Sequence, residues 1–243
     1  MPRVIAENEW LLAVDKPAGL IVHSDGRTEE PTLADWLITM FPYLKNIGAP
    51  WVSPQSVAYP IGGTVHRLDR TTTGVMLVAK TSDAYAYLKG EFKARRVEKL
   101  YRAYVNGAVE GNGKIVAAIE RTNVAPKRWY ASPCDESDVR AAITEWRSLA
   151  IVRDARGDAS YLEVKPLTGR THQIRVHFAS IGHSLLGDDM YGGENGQFSF
   201  ERPALHAFRI SVMLPSGEQV SYEASEPADF VAVSEGSVPR ATS

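Results

Sequence analysis

Four short clusters in this chain of 243 residues combine ionisable side chains with glycine or proline in patterns that packing alone does not demand. They are Asp15-Lys16-Pro17-Ala18-Gly19 with His23; His66-Arg67-Leu68-Asp69 running through Thr71-Thr72-Thr73 to Gly74; Lys99-Leu100-Tyr101-Arg102-Ala103; and Leu167 to His177. Asp69 could act as a nucleophile or as a proton acceptor. The bland alternative is a turn aspartate before a buried strand, since Asp commonly bonds its own backbone in turns. Its neighbourhood argues for more, because His66, Arg67, Asp69 and Arg70 crowd one short segment at the start of an apolar run, where grafted sites tend to sit. In the fourth cluster a charge run would ordinarily be a solvated helix face. Arg175, however, falls beside Ile174, Phe178 and Ile181, at the edge of a buried stripe. From there its guanidinium could hold a carboxylate in fixed geometry.

Tyr101 reads either as an ordinary strand aromatic or as a stacking platform. Lys89, Lys93, Arg95, Arg96, Lys99 and Arg102 surround it, opposed only by Glu91 and Glu98. Rings interleaved with cations suit a splayed nucleotide, the ring for the base and the cations for phosphates. Other chemistries lack their signatures. Six histidines invite a metal, yet no H-E-x-x-H or C-x-x-C occurs, and His172 and His177 fall on different helix faces. No metal site is expected. Neither phosphate-loop nor dinucleotide glycine pattern is present, so no nucleotide cofactor is expected, and Cys134 reads as a bystander.

The elements that must position these clusters follow from periodicity. Val4-Ile5 and Trp10 to Val14 suggest a hairpin ending at Lys16-Pro17, and Thr32 precedes a helix carrying Leu33, Trp36, Leu37 and Met40 that Pro42 closes. Asn46 to Val65 reads as a long loop, interrupted by Pro50, Pro54 and Pro60. Gly74 to Ala79 is a buried strand, followed by a helix capped at Ser82-Asp83 with Ala84, Leu88 and Phe92 inward. Strands are expected over Lys99 to Asn106, Lys114 to Ile119, Ala141 to Val152 and Tyr161 to Val164. Thr171 should then cap a helix that Gly182 ends. A last hairpin pairs Ala207 to Leu214 with Gln219 to Ala224. Antiparallel neighbours dominate, which predicts an α+β fold rather than a doubly wound one.

Composition narrows the class. At 44 % hydrophobic and 23 % charged the chain should fold, and one cysteine excludes a disulfide scaffold. Arg3, Glu7 and Glu9 interrupt any signal-peptide core, and no apolar run suits a bilayer span, so a cytoplasmic protein is expected. The 27 Lys+Arg against 29 Asp+Glu give a net charge of −2, which at first argues against a nucleic-acid binder. The total hides an asymmetry. Positive charge concentrates between Arg67 and Arg102 and again from Lys165 to Arg175, whereas Glu218, Glu223, Glu226, Asp229 and Glu235 gather toward the C-terminus.

Taken together, the clusters resemble the RluA family of RNA pseudouridine synthases. The resemblance rests on Asp15-Lys16-Pro17-Ala18-Gly19 with Val22-His23, on His66-Arg67-Leu68-Asp69 with Thr73 to Lys80, on Lys99-x-Tyr101-x-Ala103, on Gly169 to His177, and on Gly187-Asp188 with Tyr191-Gly192. These stand in family order over most of the chain. The resemblance implies a single catalytic domain over residues 1–230, an α+β fold with a mixed, largely antiparallel β-sheet flanked by helices and loops, and no cofactor. It implies Asp69 as the catalytic aspartate, Arg67 as an RNA-contacting arginine, Tyr101 stacked on the target uracil and Arg175 paired with the aspartate. His66, Arg70, Lys99, Arg102, Arg170 and His172 are expected to contact RNA as well. Thr72-Thr73 depart from the serine common before the family glycine. No separate N-terminal RNA-binding domain is expected, and residues 231–243 are expected to form a flexible tail. The protein should act on rRNA or a tRNA stem-loop as a monomer. Two rivals stand beside this reading: an RNA-binding module without activity, and a glycosidase using Asp69 with Asp188, which would need two acids flanking one bond.

Overall fold

Thr73 to Ala79 carry no charge because neither face of the strand they form meets water: all seven residues are buried. The computed structural model describes residues 1–235 apart from Asp25, Arg27, Thr28, Pro126, 155–156, 194–197 and Ser199. In chain order the elements are β1 (Arg3–Glu7), β2 (Leu11–Lys16), α1 (Leu33–Met40), β3 (Trp51–Val52), β4 (Ala58–Tyr59), β5 (Thr73–Ala79), α2 (Ser82–Lys93), β6 (Glu98–Asn106), β7 (Asn112–Arg121), β8 (Trp129–Ser132), β9 (Ala141–Asp154), β10 (Gly157–Pro166), α3 (Gln173–Ser180), β11 (Leu205–Met213), β12 (Gln219–Glu223) and α4 (Ala228–Glu235). The chain divides into two compact units, one of Met1–Glu98 with Ala207–Ser225, the other of Lys99–His206 with Glu226–Ser243. The architecture is α+β with largely antiparallel strands, as the sequence leads one to expect.

In the first unit β2 pairs antiparallel with both β1 and β5, from Leu11 opposite Ala79 to Lys16 opposite Gly74. One face, with Leu11, Ala13, Val75, Leu77 and Ala79, packs on Ala84 and Leu88 of α2 and on Ile210 and Val212 of β11. Burial of each Leu, Val or Ile side chain in this set contributes roughly 1.5 to 3 kcal/mol. Thr32 closes a capping box on α1, its hydroxyl accepting from the Asp35 amide at 3.1 Å while the Asp35 carboxylate accepts from the Thr32 amide at 2.9 Å. The cap of α2 is Thr81, one residue before the expected pair. Within the expected long loop β3 and β4 pair as a short hairpin, with Trp51 opposite Tyr59.

In the second unit the strands follow the order β6-β10-β9-β7-β8, each pair antiparallel. Ile174 and Phe178 of α3 pack against Ala103, Val105, Leu162 and Val164. Two expectations for α3 need correction. Its N-cap is His172, in the left-handed region at φ 53° and without a side-chain cap, rather than Thr171; and Ile181 lies past the helix end, 42 % exposed, instead of on the buried face. A second core gathers Tyr104, Phe200 and Phe230 with Val233. Helix α4 therefore carries regular structure through Glu235, five residues into the segment read as a tail; residues 236–243 lie outside the described set.

Gly74 shows how tightly the first sheet is built. It adopts φ +119°, and a Cβ there would stand 2.2 Å from the Ala207 carbonyl oxygen. Both strain and backbone collision follow from any side chain at this position. Gly74→Ala is expected to lower the thermal midpoint or prevent folding, a loss of several kcal/mol by the scale of strained backbone sites; a midpoint unchanged from the parent in a melt followed by circular dichroism would contradict this.

Candidate active site

The first-unit cluster is a loop braced from below. Asp69 opens a turn in which its carbonyl accepts from the Thr72 amide at 3.1 Å, so the turn reading of this residue is correct as far as its backbone goes. Its side chain is half-buried. The brace is Lys16, which is fully buried at the end of β2. Its ammonium donates to three carbonyls, those of Pro17 at 2.9 Å, Leu20 at 2.8 Å and Arg70 at 3.1 Å. The Gly19 amide donates to that same Arg70 carbonyl at 2.9 Å. The first cluster of the sequence thus serves the second, holding the peptide that follows Asp69.

The other side chains of the loop divide by what they touch. His66 Nε2 accepts from the Leu77 amide at 2.9 Å, and its ring stacks on Phe92 with centroids 4.6 Å apart. An accepting Nε2 carries no proton, so this ring is neutral with its hydrogen on Nδ1. Arg70 pairs with Glu30 at 2.6 Å in an exposed bridge, whereas Arg67 is exposed and makes no ion pair among the described residues.

In the second unit Arg175 and Asp188 form a buried fork, Nε to Oδ2 and Nη2 to Oδ1 both at 2.7 Å. Asp188 is fully buried and Arg175 only 5 % exposed. The guanidinium also lies over the Tyr191 ring, 5.0 Å from its centroid. His172 Nδ1 meets the Tyr191 hydroxyl at 2.8 Å. Gln173 holds the loop before α3, its Oε1 accepting from Thr168 Oγ1 at 2.7 Å and the Arg170 amide at 3.0 Å, while Nε2 donates to the Ile143 carbonyl and Thr144 Oγ1. Tyr101 is half-buried against the core formed by Ala103, Leu162 and Val164. Lys99 Nζ donates to the Thr168 carbonyl at 3.3 Å. Arg102, 15 % exposed on its side chain, pairs with Glu163 at 2.5 Å and Glu226 at 3.6 Å. Burial raises the Glu163 carboxyl, but its bonds to Arg102 and Arg147 outweigh that and hold it below the usual range. Arg170 is exposed and makes no ion pair among the described residues.

Each unit therefore collects one part of the expected set: His66, Arg67, Asp69 and Arg70 in the first, and Lys99, Tyr101, Arg102, Arg170, His172 and Arg175 in the second. Sequence reasoning missed the bracing role of Lys16, the pairing of Asp188 with Arg175, and Gln173. Lys16 and Asp188 stood within the clusters quoted above, but nothing local distinguishes a buried ammonium from a surface one. Among the described residues no three His, Cys, Asp or Glu side chains are placed to hold a metal ion, and no helix is long and apolar enough to cross a membrane.

Residues 10–180, which carry all four clusters, match the family described as RNA pseudouridylate synthase. The chain belongs to that family. It is 36 % identical over 236 residues to ribosomal large subunit pseudouridine synthase D of Zymomonas mobilis, covering 93 % of this chain and 70 % of the relative. The protein of the same name from Pseudomonas aeruginosa is 35 % identical over 241 residues, covering 94 % and 69 %. Among solved structures, human RNA pseudouridylate synthase domain containing 4 superposes with a TM-score of 0.68 at 23 % identity, covering 96 % of this chain and 91 % of that one, and shares the fold. The protein is thus a pseudouridine synthase, an isomerase that modifies RNA, and the resemblance read from the clusters holds.

Two buried groups of this synthase yield tests. Lys16→Met removes the ammonium that serves three carbonyls, of which that of Arg70 keeps the Gly19 amide; at about 1 to 3 kcal/mol per unsatisfied buried group the loss should be a few kcal/mol in urea denaturation. His177 is fully buried with Nδ1 2.9 Å from Thr144 Oγ1, and burial pushes it down to about 4, against a smaller upward pull from the Ala117 backbone. A pKa lower in the folded than the unfolded chain means that the unfolded chain binds the proton first. Stability is full above about pH 6.5 and falls as pH drops toward 4, by roughly 3 kcal/mol in all. His177→Gln should flatten that part of the stability curve, measured by denaturation at successive pH values.

Proposed function

We propose that this synthase isomerises chosen uridines in the ribosomal RNA of the large subunit, with Asp69 as the catalytic carboxylate. The observation that carries the reading is Asp69 itself, opening a turn that Lys16 and Gly19 brace by its following carbonyl. Rigid support of this kind is what a reacting group needs, because small misplacements cost large factors in rate. The names of the relatives favour large-subunit ribosomal RNA, and a tRNA stem-loop is the alternative outcome of the mapping described below.

The reaction breaks the N1–C1′ bond of uridine and joins C5 to C1′; the proton on C5 leaves and N1 gains one. Atoms balance without a cofactor. An ionised carboxylate can serve as nucleophile or as proton acceptor in such a step. The target base must first leave its stack, at a cost of a few kcal/mol, which stacking on Tyr101 and occupation of the vacated space by Arg67 would offset. The family assigns Arg175 to the aspartate. Its fork to Asp188 uses Nε and Nη2 and fixes the guanidinium plane. For phosphates, Arg67 and Arg170, exposed and without an ion pair among the described residues, are better placed than His66 and Arg102, whose polar atoms already serve internal partners. The synthase is expected to work in the cytoplasm as a monomer.

Asp69→Asn should fold and bind RNA like the parent while forming no pseudouridine. The check is chemical labelling of pseudouridine in total RNA from cells with the parent, the variant or no gene, since isomerisation leaves mass unchanged. Parent-level product in the variant would exclude Asp69 as the catalyst, and labelling confined to tRNA would replace the ribosomal substrate.

A further inference from the structure

Five cations of the first unit are held by acids: Arg3 by Asp15, Arg70 by Glu30, Lys80 by Glu7, Arg96 by Glu91 and Arg209 by Glu223. A different group is left without an ion-pair partner among the described residues. Lys89, Lys93 and Arg95 are exposed at the C-terminal end of α2, and Arg67 is exposed on the loop that leads to Asp69. Lys89 and Lys93 stand four apart and so share one face of the helix, opposite the buried Ala84, Leu88 and Glu91. Arg95 follows the helix end in a left-handed conformation, φ 58°, with its amide bonded to the Phe92 carbonyl. Of the neighbouring acids, Glu91 is committed to Arg96.

The two groups are joined by an aromatic contact. Phe92, between Lys89 and Arg95 in the chain, is the ring on which His66 stacks at 4.6 Å, nearly parallel at 22°. His66 immediately precedes Arg67 and is pinned to β5 through the Leu77 amide. The loop that carries Arg67 and Asp69 is therefore seated on the same turn of α2 that carries the free cations. A helix dipole would account for one cation in the last turn, but not for Lys89 a turn earlier or Arg95 beyond the end.

We infer that the C-terminal turn of α2, with Lys89, Lys93 and Arg95, is a phosphate track that continues from Arg67 and holds the RNA backbone beside the target uridine. The inference rests on the proposed RNA substrate and adds where its backbone lies. Phosphate contacts of this kind position the nucleic acid without reading its sequence. They release counterions on binding, so affinity falls with salt by about 0.7 to 0.9 in log–log slope for each phosphate neutralised.

The test uses Asp69→Asn as the parent background, to prevent turnover, and a fluorescent RNA hairpin carrying the mapped uridine. Binding is followed by anisotropy across a salt series. Adding Lys89→Ala, Lys93→Ala and Arg95→Ala together should lower the magnitude of the slope by about 2 to 3, and weaken hairpins of different sequence alike. In the active protein the same three changes should raise KM. Lys89→Arg with Lys93→Arg should keep the parent slope, and Lys45→Ala, at another exposed cation without an ion pair among the described residues, should leave it unchanged. An unaltered slope in the triple variant overturns the inference while leaving the proposed function standing, as does an equal loss per charge at Lys45. A background protein with no salt-dependent RNA binding overturns both.

Discussion

The ammonium of Lys16 is fully buried, and three backbone carbonyls converge on it. A charge in that position is tolerable only if its donors are satisfied, since an unpaired buried charge is far costlier than a neutral group. The chain meets this condition by folding the Pro17–Leu20 segment back over the end of β2 and by turning the peptide after Asp69 toward it. The loop with the proposed catalytic carboxylate is in this sense a ligand of Lys16. Its position follows from β2, and β2 is in turn held in the core by Leu11 and Ala13.

The second unit uses the same physics with other groups. Asp188 and Arg175 are both inside, and their two-point fork compensates charges that could not otherwise be buried. Gln173 gathers the backbone and hydroxyls of Ile143, Thr144, Thr168 and Arg170, so the loop before α3 needs no side-chain cap, and His172 can enter the helix from the left-handed region. Satisfied polar networks of this kind make the arrangement unique, because any shift leaves a buried donor or acceptor unpaired. Arg67, Arg170 and the cations at the end of α2 carry no such obligation and stand exposed.

Several features were legible before any coordinates. Apolar runs, periodicity and cap chemistry located β2, β5, α1 and the closing hairpin, because these segments are bounded by turn residues and Thr32 stands where an N-cap belongs. The errors share a cause. Thr171 looked like a better cap than His172, and Ile181 like a core residue, because local preference cannot register that Gln173 already serves the loop or that the helix stops at Ser180. The hairpin of β3 and β4 was hidden by prolines that sit around it instead of within its two short strands.

By itself, then, the sequence determined the family and the α+β class and singled out the candidate side chains, since residue types at fixed spacing are all that those readings require. Tertiary structure alone decided which charges are spent on the protein and which stand in solvent. Lys16 and Lys93 are the same residue type in sequence, yet one is buried under three carbonyls and the other stands in solvent. The difference arises from contacts between residues up to 54 positions apart, as between Lys16 and Arg70, which no local window of sequence contains.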